Sequence, residues 1–329
     1  MDYKIITKAL WDDFIAHLTI SHDVYASVSN DFYQDYELIG PGEISSITYN
    51  KPKPVTSLKN FFLPVKENVT TPGMEERPKI IIGIPNCDIE GLALLDDIYL
   101  DEDFVDPVYR KRRENTLLIS SDCFGIQEHC HCLSYGINPY ATRIADLGIA
   151  VLDKKVIFRI ITSRGEEFIK GINNSDVFDD NSIAEEINKL HLTTEALLSE
   201  RNKGLPDYHR TGEIVESAPQ EIWKKYSASC VSCGACATIC PTCTCFLLID
   251  KPGFEKVKQL DACQYPGFER VAGGEDGLHE LHNRFRNRYM CKYVWRPLRF
   301  SSVACTGCGR CIEACIGKIN KNELFMELA

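Results

Sequence analysis

Hydrophobic positions recur at helical spacing near the start of the chain, where Leu10, Phe14, Ile15 and Leu18 follow Thr7. That pattern predicts an amphipathic helix with Thr7 as its N-cap. Residues 20–60 mix polar, aromatic and proline positions without a sustained period. The period then changes. Lys79-Ile80-Ile81-Ile82-Gly83-Ile84 is a short apolar run stopped by Pro85-Asn86, which predicts a buried strand. Asp88 is placed to cap a helix carrying Leu92, Leu94, Leu95 and Ile98, and residues 116–120 predict a second strand. Two strands joined by a helical stretch predict a parallel βαβ unit. Cys87 and Cys123 each fall just past the carboxyl end of one of these strands, where open α/β sheets collect ligands.

Further along, residues 149–152 and 156–162 flank Asp153-Lys154-Lys155 as a hairpin, and a helix is expected from Ile183 to about Glu200. Residues 203–215 are rich in helix breakers and read as a linker. The expected organisation is an α/β N-terminal domain with a parallel-sheet core over residues 1–210, followed by a second domain over 211–329. No dinucleotide fingerprint and no Walker loop is present.

The 329 residues carry 37 Lys plus Arg against 47 Asp plus Glu, a net charge of −10, which argues against a general nucleic-acid binder. No apolar run approaches the ~20 residues that span a bilayer, and Met1-Asp2-Tyr3-Lys4 opens neither a signal peptide nor a twin-arginine segment. A cytoplasmic protein with no membrane and no nucleic-acid partner is therefore expected. Cysteine alters the picture, with 16 residues in a chain expected in a reducing compartment. Four lie between Cys87 and Cys132 and twelve between Cys230 and Cys315, so they read as clustered metal ligands rather than disulfides.

The spacing of the second group is specific. Cys230-x2-Cys233-x2-Cys236-x3-Cys240-Pro241 and Cys305-x2-Cys308-x2-Cys311-x3-Cys315 each repeat the bacterial ferredoxin pattern. In that pattern three thiolates hold one 4Fe–4S cluster and the fourth reaches the other. Cys230, Cys233, Cys236 and Cys315 are assigned to one cluster; Cys305, Cys308, Cys311 and Cys240 are assigned to the second. Small residues in the loops (Gly234, Ala235, Gly307, Gly309) allow backbone amides to approach sulfide. A structural zinc site is the competing explanation, but zinc sites usually pair two separated Cys-x2-Cys units. The second domain is thus expected as an α+β dicluster ferredoxin-like domain with a long insertion over residues 246–300.

The whole stretch between the two motifs, residues 241–304, holds Cys243, Cys245, Cys263 and Cys291, which read as thiols lining the cluster pocket or as a further site. It also holds Arg284, Arg286, Arg288, Lys292, Arg296 and Arg299 with no acidic residue between Leu281 and Phe300. Such a block is usually a solvated face; beside anionic clusters it would raise their potentials or dock an acidic electron carrier. Cys87, Cys123, Cys130 and Cys132 form the remaining group, open by spacing alone to a metal site or to structural thiols.

The combination resembles a family of iron–sulfur subunits found in anaerobic sulfite reductases and, as the beta subunits, in soluble sulfhydrogenases. The resemblance rests on Asn86-Cys87-Asp88-Ile89-Glu90-Gly91-Leu92, Asp106-Pro107-Val108-Tyr109, Arg112-Arg113-Glu114-Asn115-Thr116 and Cys130-His131-Cys132-Leu133-Ser134-Tyr135-Gly136. It continues through Cys240-Pro241-Thr242-Cys243-Thr244-Cys245-Phe246, Cys263, Ala272-Gly273-Gly274, Arg284-x-Arg286-x-Arg288-Tyr289 and Cys308-Gly309-Arg310-Cys311. His131, Tyr135 and Ile316 stand where the family commonly has phenylalanine, methionine and proline, and Cys291 has no counterpart in its pattern.

The resemblance implies an electron-transfer component of an oxidoreductase complex, with no substrate site of its own. It implies a third 4Fe–4S cluster on Cys87, Cys123, Cys130 and Cys132. It also implies two partners: a flavin- and 2Fe–2S-containing subunit that oxidises NAD(P)H, and a terminal subunit with siroheme or a nickel–iron centre. The Pro241–Cys245 run inclines the expectation towards sulfite reductase. The other functions carried forward are a cluster-based enzyme acting on a sulfur or disulfide substrate, and a zinc-stabilised interaction module.

Overall fold

The computed structural model describes residues 3–70, 77–172, 178–179 and 182–329. Its strands are β1 (Lys4–Thr7), β2 (Asp23–Ser29), β3 (Gln34–Leu38), β4 (Lys66–Asn68), β5 (Lys79–Ile84), β6 (Thr116–Ser121), β7 (Leu147–Leu152), β8 (Lys155–Ile160), β9 (Phe178–Asp179), β10 (Phe246–Lys251) and β11 (Glu255–Leu260). The helices of the first half are α1 (Lys8–Leu18), α2 (Asn86–Tyr99), α3 (Pro107–Glu114), α4 (Ser163–Ile169) and α5 (Ser182–Arg201). Those of the second half are α6 (Tyr208–Ser217), α7 (Gln220–Ser227), α8 (Ala235–Thr238), α9 (Leu281–Met290), α10 (Arg296–Arg299), α11 (Arg310–Glu313) and α12 (Lys321–Leu328).

Eight strands form one mixed sheet in the order β3-β2-β5-β6-β7-β8-β1-β9. Its centre, β2-β5-β6-β7, is parallel, and antiparallel strands flank it on both sides. The expected parallel βαβ unit is β5-α2-α3-β6. Side chains alternate across the sheet, as strand geometry requires. Ile80 and Ile82 of β5, with Leu117 and Ile119 of β6, pack with Trp11 and Ile15 of α1 and Ile169 of α4. Ile81, Ile84 and Leu118 point the other way, onto Ile89, Leu92 and Leu95 of α2 and Tyr109 of α3. Each such fully buried side chain contributes about 1.5–3 kcal/mol relative to exposure. The result is a sheet covered on both faces, which is why β5 and β6 read as continuous apolar runs.

Two local expectations shift. Thr7 caps α1 by accepting from the Leu10 amide at 3.3 Å, but the buried face centres on Trp11 and Ile15 while Leu10 is exposed. α2 starts two residues before Asp88, directly after Pro85, so Asp88 lies inside its first turn and is free to pair elsewhere. Residues 208–215, expected within a linker, lie in α6: Asp207 accepts from the His209 amide at 2.9 Å and starts the helix.

The second half packs α6, α7, α9 and α12 around Trp223, Phe285, Tyr289, Tyr293, Leu324 and Phe325, and Tyr135 and Ile137 of the first half enter the same core. The smaller sheet, β10-β11-β4, joins a strand of the first half to a hairpin of the second. Lys258 of that hairpin lies 3.3 Å from Glu67 of β4. Among the described residues no helix is long and apolar enough to cross a membrane.

Candidate metal centres

The two ferredoxin-type loops adopt one conformation twice. Gly234 and Gly309, each one residue after the second cysteine of its motif, are left-handed (φ 71° and 79°) and start the short helices α8 and α11. A Cβ on Gly309 would overlap the carbonyl oxygen of His129, so only glycine lets this loop lie flush against residues 129–132. The His131 amide donates to the Gly307 carbonyl at 2.9 Å across the same contact.

Two cavities carry most of the expected ligands. Cys230, Cys233, Cys236 and Cys315 line the first, together with Cys311, Phe285, Arg288 and Tyr289. Cys87, Cys123, Cys130 and Cys132 line the second, with Lys53, Asn86, Gly307 and Cys308. The strand-end geometry explains the second: Cys87 opens α2 just past β5, and Cys123 follows β6, its amide held by the Pro139 carbonyl at 2.8 Å. Two of the second ferredoxin-type set, Cys308 and Cys311, connect these cavities. Cys308, a wall of the second, has Cys240 and Cys311 as electrostatic neighbours, and Cys311 is a wall of the first. Cys305 lines neither cavity; its neighbours are Lys321, Lys292 and Tyr293. Among the described residues no group of three or more His, Cys, Asp or Glu side chains closes on a point fit for a single metal ion.

The walls fit an anionic group. Arg288 is buried against the first cavity, and its Nε–H has no acceptor. Burial pushes the Cys236 thiol up to about 11, and Cys132 and Cys308 up to about 12. Such thiols ligate only as iron displaces their protons. Burial also raises Cys305, but Lys321 and Lys292 outweigh it and bring the thiol below its ordinary value.

The arginine-rich block has an inward role that its sequence leaves open. Arg284, Arg288 and Lys292 are buried and Arg296 is half-buried, whereas Arg299 is exposed. The inward four recur every four residues. Arg284 donates to the Leu278 carbonyl at 3.0 Å, Arg288 to the Cys236 carbonyl at 3.0 Å, and Lys292 to Thr242 Oγ1 at 2.6 Å and the Ala304 carbonyl at 2.8 Å. Arg296 bonds the Thr242 carbonyl and, at 2.8 Å, Thr244 Oγ1. Residues at that spacing drift about 40° per step around an ordinary helix. The wider π-helical turn Cys291–Trp295 between α9 and α10 counters the drift and keeps Lys292 and Arg296 facing the loops.

Sequence reasoning also missed the buried Lys53, Lys59 and Lys321. Lys59 donates to the carbonyls of Thr238 (2.9 Å) and Cys243 (3.1 Å), and Lys53 bonds Gln127 and, at 2.8 Å, Glu313. Lys321 lies 2.8 Å from His131 Nε2 and 3.2 Å from Tyr135 Oη. Burial, reinforced by Lys321, holds His131 well below its usual range. The neutral ring therefore donates from Nδ1 to the His129 carbonyl at 2.7 Å and accepts from Lys321 at Nε2. His131 and Tyr135, two of the departures from the family pattern, are thus partners of one buried lysine.

A cysteine-rich fold of this kind, with twin ferredoxin loops, defines an iron–sulfur protein. Residues 229–319 match the 4Fe–4S dicluster domain family. Over its whole length the chain is similar to sulfhydrogenase 2 subunit beta of Pyrococcus furiosus, at 28% identity over 340 aligned positions covering 100% of this chain and 98% of that protein. The domain match thus covers the twin ferredoxin loops, and the likeness to the sulfhydrogenase subunit extends over both halves of the chain.

Proposed function

We propose that this chain is a one-electron relay carrying three 4Fe–4S clusters. Cys230, Cys233, Cys236 and Cys315 hold the first, Cys305, Cys308, Cys311 and Cys240 the second, and Cys87, Cys123, Cys130 and Cys132 the third. The observation that carries this reading is the sharing of walls: Cys308 borders the N-terminal cavity and Cys311 borders the cavity of Cys230 and Cys315. The second set therefore links the other two in a line. Bound 4Fe–4S groups supply one-electron redox chemistry at potentials set by charge and hydrogen bonding.

The protein's own residues supply the rest. Phe285 and Tyr289 limit water at the first cavity, and Arg288, Lys292, Lys59 and Lys321 surround the thiolates with buried positive charge. No nucleophile–base pair is assigned, and the chain works in a complex. Its electron donor is a flavin- and 2Fe–2S-containing subunit that oxidises NAD(P)H. Its acceptor is a terminal subunit, and similarity to a sulfhydrogenase subunit favours a nickel–iron partner over the siroheme reductase that residues 241–245 suggested. Residues 1–210 and 211–329 form its two domains, 246–300 is an insertion in the second, and the complex is cytoplasmic.

Iron and acid-labile sulfide on anaerobically purified protein test the reading. Three cubanes give about 12 irons per chain, whereas about 8 reduces the relay to the ferredoxin pair.

A further inference from the structure

Four cysteines have no place in the relay: Cys243, Cys245, Cys263 and Cys291. Two of them, Cys245 and Cys263, are brought to one cavity wall by a short hairpin. The Asp261 amide bonds the Cys245 carbonyl at 2.9 Å, extending the β10-β11 ladder by one step beyond Phe246 and Leu260. That step places Cys263 two residues past the position paired with Cys245, and both side chains line one cavity. Gln264, buried beside them, donates from Nε2 to Cys263 Sγ at 3.8 Å and to the Arg284 carbonyl at 2.8 Å, which fixes the buried thiol in place.

The pair is unequal. Cys245 is half-buried and Cys263 buried, and both form part of the wall of a cavity of about 580 Å³. Val271, Leu278 and Trp295 supply apolar wall, Asn287 a polar group, and the exposed carboxylates of Glu269 and Glu275 its negative charge. An accessible thiol and a buried one on the wall of a single open pocket form the arrangement of an attacking and a resolving cysteine. The electrostatics agree. The Cys263 thiol, then its N–H, Arg296 and Lys292 hold Cys245 down at about 6 against the opposing effect of burial, while the same hydrogen bond pushes Cys263 up.

We propose that Cys245 and Cys263 form a dithiol–disulfide redox site that reduces neutral or amine-bearing low-molecular-weight disulfides entering this cavity. The Cys245 thiolate attacks one sulfur of the substrate, the substrate S–S bond breaks, and the first thiolate leaves and takes a proton from water. Cys263 gives up its proton and attacks Cys245 Sγ; the mixed S–S bond breaks and the second thiolate leaves with that proton. The substrate gains two electrons and becomes two thiols, and the pair loses two and becomes a disulfide. Return to the dithiol draws two electrons from the relay, one at a time. That return step alone rests on the reading above, and the experiment below does not use it.

The test treats anaerobic, cluster-loaded protein with cystamine and with oxidised glutathione, followed by peptide mass spectrometry and thiol release. The expected result is one Cys245–Cys263 disulfide and two cysteamines released per chain, with oxidised glutathione slower because its carboxylates meet Glu269 and Glu275. Cys263→Ser stalls with one cysteamine on Cys245, and Cys245→Ser releases none, both with iron and sulfide unchanged. Cysteamine release that survives Cys245→Ser overturns the proposal. So does a loss of iron and sulfide in Cys245→Ser, which would make Cys245 a cluster ligand.

Discussion

The guanidinium of Arg310 meets both carboxylate oxygens of Asp88, at 2.5 and 2.8 Å, although 222 residues separate the two. Both are fully buried, and the guanidinium also donates to the carbonyls of Pro54, Val55 and Thr56. The pair fastens the second ferredoxin-type loop to the first turn of α2, next to Cys87.

Removing one member leaves the other charge stranded. Asp88→Asn and Arg310→Met are each expected to destabilise the chain by about 3–5 kcal/mol, whereas the double substitution costs less than their sum. Denaturant unfolding of the four proteins measures this; strictly additive losses would mean that the pair does not act as a unit.

Gly309→Ala puts a methyl group into the His129 carbonyl in a left-handed backbone. The conformation alone costs about 1–2 kcal/mol, and the overlap pushes the loop off residues 129–132. Thermal melts should show a clear loss, with Gly42→Ala, where a methyl group meets nothing, unchanged.

Lys292 holds Thr242 and the Ala304 carbonyl among Cys240, Cys243 and Cys305. Lys292→Met removes a positive charge from this setting and makes reduction harder. A unit charge ~8 Å away at an effective dielectric of about 20 amounts to roughly 2 kcal/mol. A redox titration followed by electron paramagnetic resonance should therefore show one cluster displaced to lower potential and the others little changed.

Cys245 is held at about 6, well under the ordinary thiol value of 9.0. Its alkylation by iodoacetamide, read on its own peptide, should rise through pH 6 and level off by pH 7. Because the folded chain binds this proton more weakly than the unfolded chain, its stabilising contribution is complete above pH 9 and disappears as pH falls through 6. Cys263→Ala removes the main hydrogen bond and should move the alkylation profile upward.

Much of the site was legible because cysteine spacing is a local signal. The twin motifs marked the loops that Gly234 and Gly309 bend, and the runs 79–84 and 116–120 placed Cys87 and Cys123 at strand ends. What stayed hidden depends on partners distant in sequence. β2, Asp23–Ser29, buries Val24, Ala26 and Ser27 beside a β3 that has no buried residue, and it has no apolar run to announce it. Pro206-Asp207 read as breakers, yet Asp207 initiates α6. Charge patterning shows that Arg284, Arg288, Lys292 and Arg296 share a spacing of four, but not that their face turns inward. Asp88 looked like a cap because Arg310 lies 222 positions away.

The close fit between Gly307 and the loop of His131 also constrains the order in which the protein matures. The pocket of Cys87, Cys123, Cys130 and Cys132 takes part of its wall from Gly307 and Cys308, which leave the ribosome more than two hundred residues after Cys87. The earliest cysteines to be synthesised are thus among the last to be enclosed. Iron delivered during translation would meet an open shelf, so a cluster held in that pocket would be loaded after synthesis, when the chain has closed on itself.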